Sequence, residues 1–398
     1  MKILIDGQTL NTPELNRGIG TYVKNTVENM LAFDFVNDFY IDVDSANGLD
    51  HFSPWAQQKL SVIPQPKGRS SSAVEYSEFT NDAIKKAGID LYWSPNALMT
   101  NVFLPTPEAT DCHFVATIFD VIPAVMKKQY QKAWPAKVFE EYQNKLELLE
   151  RDYDLLIHIS ERTKSDFIRT VRASQKRHVV TPLAAAPAFR PYPFPEIPGG
   201  RDYILYPGGF DPRKNMDRAV EAFAEMHKRY ADDKSIGAIR LLIICQTHSS
   251  EAREMMNRAK TLGLADKLEL CGFVSDLDLI TLYQKARCLF FPSLYEGFGL
   301  PVLEGLACGI PVAASNTSSI PEVAGNLATY FDPLDVVDMA SSLYQTLKAP
   351  VDLESRMLRH EYSKRFSWQS TAVLTLQTFA DCAQGLMESN ASWAVTNE

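Results

Sequence analysis

Short runs of apolar and β-branched residues alternate along the chain with longer stretches in which apolar residues recur every three or four positions. The short runs are typical of buried β-strands, and the longer stretches are typical of amphipathic helices. Regular alternation of the two predicts βαβ units and parallel sheets. In the first half of the chain the predicted strands are Lys2–Asp6, Phe39–Val43, Ser61–Pro64, Asp90–Ser94, His113–Phe119, Leu155–Ser160 and His178–Leu183. In the second half they are Tyr203–Tyr206, Arg240–Cys245, Lys267–Leu270, Cys288–Pro292, Pro311–Ala314 and Thr329–Phe331.

A segment rich in proline and glycine separates the two sets of strands. Residues 187–201 contain five prolines and two glycines, which disfavour both helix and strand. We therefore predict an α/β fold with one Rossmann-like domain over residues 1–186, a linker over 187–201 and a second Rossmann-like domain over 202–369. In doubly wound sheets of this kind ligands bind at the carboxyl ends of the strands, so we expect the site in a cleft that both sheets face.

Composition narrows the function. The net charge is −9 and the pI is about 5.4, which disfavours a nucleic-acid partner because phosphate backbones need a basic surface. The six cysteines are scattered through apolar segments without a Cys-x-x-Cys pair, so we interpret them as reduced core residues. The first apolar run is short for a signal peptide, and no window reaches the about 20 apolar residues of a membrane span. These features predict a cytoplasmic protein.

The segment from Cys288 to Ser315 carries the strongest chemical signal. A predicted strand is followed by a loop with Gly297 and Gly299 and then by a helix that Pro301 is suited to begin. Such a helix N-terminus presents backbone N–H groups to an anion such as a pyrophosphate. Glu296 and Glu304 flank this point, and carboxylates accept hydrogen bonds from sugar or ribose hydroxyls. The alternative is that Glu304 only faces solvent on a short helix.

Three further segments place polar groups after predicted strands. Arg213 and Lys214 lie at the start of a helix and form a possible diphosphate clamp, although a basic pair in a loop is also common on a solvated surface. Gly18 and Gly20 precede the first amphipathic helix. Asp120 directly follows the predicted strand His113–Phe119.

The segment EGFGLPVLE, from Glu296 to Glu304, resembles the retaining glycosyltransferase family four, which is marked by two glutamates eight positions apart. The resemblance implies the GT-B fold. It also implies that Glu296 contacts the transferred sugar, that Glu304 binds the ribose of the donor nucleotide and that Lys214 contacts the diphosphate. The family's backbone contacts to sugar and phosphate correspond here to Gly297, Phe298, Gly299 and Leu300.

The same resemblance extends along most of the chain. It implies that Gly18 and Gly20 face donor and acceptor, that Phe273 and Val274 contact the base and that a closing helix over residues 370–398 crosses back to the first domain. Two positions depart from the family pattern. Gly209 stands where many members have arginine, so Arg213 would supply that charge, and Phe119 stands where most have histidine before Asp120.

From this resemblance we expect a retaining glycosyltransferase that needs no metal or other cofactor. The expected donor is a nucleotide diphosphate sugar, with GDP-mannose as the first candidate, and the expected acceptor is a saccharide or a glycolipid of bacterial surface polysaccharide assembly. A lipid-linked acceptor would require peripheral membrane contact, for which the lysine-rich stretch Lys127–Lys145, with Trp134 and Phe139, is a candidate. Asp276 and Asp278 resemble a metal-binding pair but fit a helix start better.

Two other functions remain open from the sequence. A sugar-nucleotide epimerase on the same fold would bind the donor without an acceptor. A non-catalytic relative would bind a sugar nucleotide or a partner enzyme without turnover.

Overall fold

The alternating pattern forms two separate parallel sheets, each covered by helices. The computed structural model describes residues 1–12, 18–43, 46–65, 72–108, 111–172, 177–194, 200 and 202–385. The chain divides into one unit made of Met1–Leu183 together with the chain from Ser367 onward, and a second unit made of Ala184–Phe366. Residues 195–199 and 201 of the predicted linker, and residues 386–398 of the predicted closing helix, lie outside the described part.

The sheet of the first unit has the order β3-β2-β1-β4-β5-β6-β7, and each pair of neighbours is parallel. Its strands are β1 (Lys2–Asp6), β2 (Asp38–Val43), β3 (Leu60–Pro64), β4 (Leu91–Ser94), β5 (His113–Ile118), β6 (Leu155–His158) and β7 (Arg177–Val180). Its helices are α1 (Gly18–Phe33), α2 (Pro54–Gln57), α3 (Ala73–Ala87), α4 (Ile122–Val125), α5 (Lys127–Ala133), α6 (Ala136–Asp152) and α7 (Glu161–Val171), joined by the last helix of the described chain, α15 (Trp368–Ala383).

The sheet of the second unit has the order β10-β9-β8-β11-β12-β13 and is also parallel between all neighbours. Its strands are β8 (Tyr203–Pro207), β9 (Arg240–Ile244), β10 (Leu268–Cys271), β11 (Cys288–Phe291), β12 (Val312–Ser315) and β13 (Ala328–Phe331). Its helices are α8 (Met216–Arg229), α9 (Ser250–Thr261), α10 (Asp276–Lys285), α11 (Leu300–Ala307), α12 (Ile320–Ala324), α13 (Val336–Leu347) and α14 (Leu353–Ser363). Every strand predicted from the sequence overlaps an observed strand, with ends that agree within three residues.

Helical spacing explains which faces are buried. On α8, Met216, Ala219, Val220 and Phe223 all lie inside the core of the second unit, where α8 packs against α13. Burial of a side chain such as Phe223 contributes about 1.5–3 kcal/mol. On α1 the same spacing buries Val23 and its neighbours along that face, and α1 packs against α15.

Each sheet has a point where the strand order reverses direction. In the first unit β1 lies between β2 and β4, and in the second unit β8 lies between β9 and β11. Connections that leave adjacent strands in opposite directions open a crevice at their carboxyl ends. The loops after β8 and β11 are therefore the expected place for a ligand in the second unit. None of the helices in the described ranges combines the length and apolar character that a membrane span requires.

Two buried acids face each other in the first sheet. Asp6 and Asp42 are register partners at the ends of β1 and β2, and both are almost fully buried. Asp42 Oδ1 accepts a hydrogen bond from the Gly7 N–H at 2.6 Å, and Asp42 Oδ2 accepts one from the Tyr76 hydroxyl at 2.7 Å. Burial, with a further contribution from the charge of Asp6, raises the pKa of Asp42 well above its ordinary value.

This raised pKa makes the stability of the fold depend on pH. The folded state favours protonated Asp42, so its contribution is complete below the unfolded pKa of about 3.9 and is lost as pH rises through the higher folded pKa. We expect the wild type to lose on the order of 1 kcal/mol of unfolding free energy through Asp42 between pH 5 and pH 8. Asp42→Asn should not show this loss. Urea unfolding at both pH values measures it, with the exposed Asp82→Asn as control. Equal pH dependence in wild type and Asp42→Asn would contradict the interpretation.

Candidate functional site

The loop after β8 is built by local capping and held to β11. Asp211 caps a short 3-10 helix over Pro212–Lys214, where its side chain accepts a hydrogen bond from the Arg213 N–H at 3.0 Å. Asn215 follows in the left-handed conformation, with φ of 64°, which asparagine tolerates better than most residues. Its Nδ2 donates to the Pro292 carbonyl at 3.1 Å and to the Pro333 carbonyl at 2.7 Å. These bonds fix Arg213 and Lys214 beside the end of β11.

A buried ion-pair cluster joins the two loops. Arg213 Nη1 lies 2.7 Å from Glu296 Oε2, and Lys214 Nζ lies 2.6 Å from Glu296 Oε1. Arg213 Nε also contacts Asp211 Oδ2 at 2.9 Å. Glu296 is only 8% exposed. Burial alone would raise the pKa of Glu296, but Lys214 and Arg213 outweigh burial and hold this pKa below its ordinary value. Glu296 is therefore an ionised acceptor at neutral pH.

The backbone around Glu296 is anchored on both sides. The Leu294 N–H donates to the Arg213 carbonyl at 2.7 Å. The Glu296 N–H donates to Ser318 Oγ at 3.1 Å, and the Ser319 hydroxyl donates to the Glu296 carbonyl at 3.0 Å. Hydrogen bonds thus hold the backbone of Glu296, and the two cations hold its carboxylate.

The loop after Glu296 ends at the N-terminus of α11. Gly299 precedes this helix with φ of 101°, a conformation that L side chains rarely adopt. Pro301 has no N–H and the Val302 N–H donates to the Gly299 carbonyl at 2.9 Å, so this end of α11 offers a ligand the Leu300 N–H and the positive end of the helix dipole. Gly297 is buried, and the Phe298 side chain packs edge-to-face on Phe366 with ring centroids 5.8 Å apart. The backbone, rather than the Phe298 ring, is the part of this loop suited to contact a ligand.

Glu304 occupies a different environment on α11. Burial raises its pKa to about 7, the nearby charge of Asp276 adds to the rise, and Tyr283 opposes it. Tyr283 is fully buried and packs edge-to-face on Phe189 at 5.4 Å. Glu304 is therefore poised between its neutral and ionised forms near neutral pH, in contrast to Glu296.

An open cavity of about 400 Å³ lies at the ends of β9 and β10. Its lining residues are Gln246, Thr247, His248, Ser249, Gly272 and Phe273. Phe273 is 97% exposed and Val274 is half-buried. Sequence reasoning named Phe273 and Val274 but missed the polar wall from Gln246 to Ser249. The available signal was the position of these residues directly after a predicted strand.

The remaining sequence-predicted residues of the second unit are less constrained. A Cβ added at Gly209 would meet no atom of the described residues within 4 Å, so the backbone there is not crowded. Asp276 and Asp278 lie in the first turn of α10, where Ser275 Oγ accepts from the Asp278 N–H at 3.2 Å and donates to Asp278 Oδ2 at 2.7 Å. That arrangement is a helix cap. Over the described ranges no group of three or more His, Cys, Asp or Glu residues is placed to hold a metal.

Gly18, Gly20 and Asp120 belong to the first unit. Gly18 begins α1 and is exposed, whereas Gly20, two residues further on, is buried. Asp120 follows β5, and its Oδ1 accepts a hydrogen bond from the Ile122 N–H at 3.0 Å. Phe119 packs edge-to-face on the buried Tyr22 with ring centroids 5.0 Å apart. An aromatic contact thus occupies the position where the family usually has histidine.

Part of the sequence and the overall fold are similar to those of known proteins. Residues 193–365 match the family model described as glycosyl transferases group 1. The whole chain is also similar in fold to solved glycosyltransferase structures. Sucrose-phosphate synthase from Thermosynechococcus elongatus superposes with a TM-score of 0.70 at 19% identity, over 97% of this chain and all of that one. WaaG, a glycosyltransferase involved in lipopolysaccharide biosynthesis, superposes with a TM-score of 0.67 at 16% identity, over 97% and 100%. The predicted GT-B fold class, with two parallel-sheet α/β domains, is confirmed.

Sequence relatives carry mannosyltransferase names. The serotype-specific mannosyltransferase WbdA of Escherichia coli is 29% identical over 432 residues, which cover 99% of this chain and 50% of WbdA. The O-antigen chain mannosyltransferase B of Escherichia coli is 30% identical over 238 residues, which cover 56% of this chain and 60% of the relative. The chain thus spans about half the length of WbdA and somewhat more of mannosyltransferase B.

The role of Asn215 as the link between the two loops can be tested. We expect Asn215→Ala to lower the free energy of unfolding by about 3 kcal/mol, from two hydrogen bonds of about 1 kcal/mol each and a left-handed backbone cost of about 1 kcal/mol. Asn215→Gly is the matched control, because it removes the same bonds and not the backbone preference. Urea unfolding measures both, and equal stability of Asn215→Ala and wild type would refute the linking role.

Proposed function

We propose that this protein is a retaining, metal-independent glycosyltransferase that moves a hexose, with mannose as first candidate, from a nucleotide diphosphate sugar to a saccharide or glycolipid acceptor in bacterial polysaccharide assembly. The observation that carries this proposal is the cluster of Arg213, Lys214 and Glu296 beside the N-terminus of α11. The mannosyltransferase names of the relatives favour mannose as the sugar.

Charge balance supports a diphosphate at this cluster. Arg213 and Lys214 carry two positive charges, and the N–H groups of α11 add a partial positive charge. A diphosphate diester carries two negative charges, so the clamp can neutralise it without a divalent cation. When the diphosphate binds the two cations, it takes over part of their pairing with Glu296. The released carboxylate oxygens then accept hydrogen bonds from the sugar hydroxyls.

Retention follows if the acceptor attacks from the side that the diphosphate leaves. The bond between the anomeric carbon and the phosphate oxygen breaks, the sugar passes through an oxocarbenium-like state and the acceptor oxygen forms the new bond on the same face. The proton of the acceptor hydroxyl passes to the departing phosphate oxygen. Arg213, Lys214 and the N-terminus of α11 stabilise the charge that develops on that phosphate.

The nucleoside would extend from the diphosphate along the second sheet. Glu304 would accept hydrogen bonds from the ribose hydroxyls, and the cavity beside Phe273 and Val274 would hold the base. The polar wall of that cavity, Gln246 to Ser249, offers groups that can recognise a base edge. GDP-mannose is the first donor to test, ahead of uridine and deoxythymidine donors.

The acceptor would bind the first unit, where Gly18, Gly20 and Asp120 lie at the carboxyl edge of the sheet. With a nucleotide sugar as donor, the proposed activity would be cytoplasmic. A lipid-linked acceptor would bring the protein to the inner face of the membrane. Lys127, Lys128, Lys132 and Lys137 are exposed and could contact that surface. Phe139 and Lys145 do not extend this surface, since Phe139 is buried and Lys145 Nζ donates to the Met99 carbonyl at 2.5 Å.

The first test is donor binding and turnover without metal. We expect GDP-mannose to stabilise the protein thermally and to be hydrolysed slowly, and Lys214→Ala and Glu296→Ala each to lower turnover by on the order of 10² or more, as expected when charge stabilisation is lost. Lys228→Ala, an exposed lysine on α8, is the matched control. Unchanged turnover in Lys214→Ala would sink the proposed mechanism, and no binding of any sugar nucleotide would sink the proposed function.

The pKa of Glu304 makes a separate prediction. If ionised Glu304 accepts hydrogen bonds from the ribose hydroxyls, its protonation should weaken binding of the donor. The affinity for GDP-mannose should therefore fall several-fold as pH drops from 8 to 6 through the pKa of about 7. The two phosphates of GDP-mannose do not titrate in that range, so the change belongs to the protein. Calorimetric titration measures it, and Glu304→Gln should give weaker binding with little pH dependence. The same pH dependence in Glu304→Gln would assign it to another group.

A further inference from the structure

Helix α5 and the residue that caps its C-terminus, Trp134, present two aromatic rings on an otherwise polar surface. The helix has no fully buried residue, yet the rings of Tyr130 and Trp134 are half-buried. The two rings meet edge-to-face with centroids 5.0 Å apart and an interplanar angle of 85°. Trp134 in turn packs edge-to-face on Tyr142 of α6 at 6.0 Å. Tyr142 is 3% exposed, so the pair of rings rests on a fixed part of the core.

The segment that carries this pair follows the carboxyl end of β5. Asp120 follows β5 and caps α4, and α4 leads directly into α5. Val121 and Tyr142 belong to the same buried cluster, against which Trp134 packs. The rings therefore lie on the segment that leaves the carboxyl edge of the sheet, where parallel α/β sheets bind ligands.

Another aromatic patch in the same unit shows the contrast. Phe35 and Trp55 are exposed and share Lys59, whose Nζ lies 4.9 Å and 5.5 Å from their ring centroids. Phe35 precedes β2 and Trp55 precedes β3, so this patch lies at the amino edge. It serves as a control surface because it also presents a tryptophan and a second aromatic ring beside a lysine, away from the carboxyl edge.

The polar groups around the Tyr130–Trp134 pair suit a polar ligand better than a lipid interior. The nearest side chains on α5 are lysines and glutamines, including the exposed Gln129 and Gln131. Insertion into a bilayer needs apolar side chains that project from the surface. Residues 121–139 contain no acid, and Val125 is the large apolar residue that is exposed in this range, at 43%. Aromatic faces flanked by amides and ammonium groups can bind the apolar face of a sugar ring together with its hydroxyls.

We propose that Tyr130 and Trp134 form a binding site for a hexose ring of the acceptor saccharide. This inference rests on the proposed glycosyltransferase function and assigns its acceptor to the surface of α5. The sugar ring stacks on the aromatic pair, and Gln129, Gln131 and the neighbouring lysines bind its hydroxyls or an anionic group attached to it. Substitutions at this site are expected to leave the donor-binding groups of the second unit unchanged.

The test separates acceptor binding from donor binding. Wild type, Tyr130→Leu, Trp134→Leu and the control Trp55→Leu are compared with GDP-mannose and a panel of disaccharides of mannose, glucose and N-acetylglucosamine. Loss of one stacking contact should raise the KM for the accepted disaccharide about tenfold, while the KM for the donor, its slow hydrolysis and the control stay as in wild type. Saturation-transfer NMR with the disaccharides alone should show the same loss of contact without turnover.

Each other outcome has a definite meaning. An unchanged acceptor KM in both variants would overturn the inference while leaving the proposed function intact. If the variants instead lose binding to vesicles of phosphatidylglycerol and phosphatidylethanolamine and keep the wild-type KM for a soluble disaccharide, the surface is a membrane contact and the inference is wrong. NMR contact between wild type and none of the disaccharides would also overturn it. A wild-type protein that binds no sugar nucleotide would refute the proposed function itself.

Discussion

The pairing of buried Glu296 with Arg213 and Lys214 is the interaction on which the candidate site depends. A carboxylate that is 8% exposed is costly unless its charge is compensated, and here each oxygen faces its own cation within 2.7 Å. The pairing also joins two loops that leave neighbouring strands on opposite sides of the reversal point in the sheet. Removal of Glu296 would take away the partner that both cations share, whereas removal of either cation would leave Glu296 with one cationic partner. A diphosphate can replace Glu296 as partner because it carries the same sign of charge and more acceptor oxygens.

Two glutamates eight positions apart in the sequence acquire opposite properties from their surroundings. Both are covered enough for burial to raise their pKa, yet only Glu296 has cations at contact distance. Burial raises the pKa of Glu304 to about 7, with the charge of Asp276 adding to the rise and Tyr283 opposing it. The first acid is ionised at neutral pH, while the second changes charge near neutral pH. Under the proposed function, Glu296 compensates the two cations and Glu304 accepts hydrogen bonds from the ribose hydroxyls.

Aromatic contacts surround position 119 in the first unit. Tyr22 receives Phe119 on one side and Trp368 on another, with ring centroids 5.0 Å and 6.2 Å away. The Tyr22 hydroxyl lies 3.2 Å from Thr117 Oγ1, which also accepts from Trp93 Nε1 at 3.0 Å. An aromatic residue at position 119 therefore fits a cluster that ties β5 to α1 and α15. A histidine there would exchange part of this packing for a polar ring.

The sequence by itself determined the architecture and the loops that carry the chemistry. Thirteen strands, the helix spacing of α1 and α8, and the glycine-rich loop before α11 follow from periodicity and backbone preference, which act over a few residues. The chain also indicated Arg213, Lys214, Glu296 and Glu304 as candidates. It could not indicate that Glu296 pairs with both cations, because residues 82 and 83 positions apart meet only when β8 and β11 become neighbours. The pKa of Glu304, the cavity beside Gln246 to Ser249 and the inward turn of Lys145 were likewise decided by the tertiary structure, since burial and long-range neighbours exist only in the folded chain.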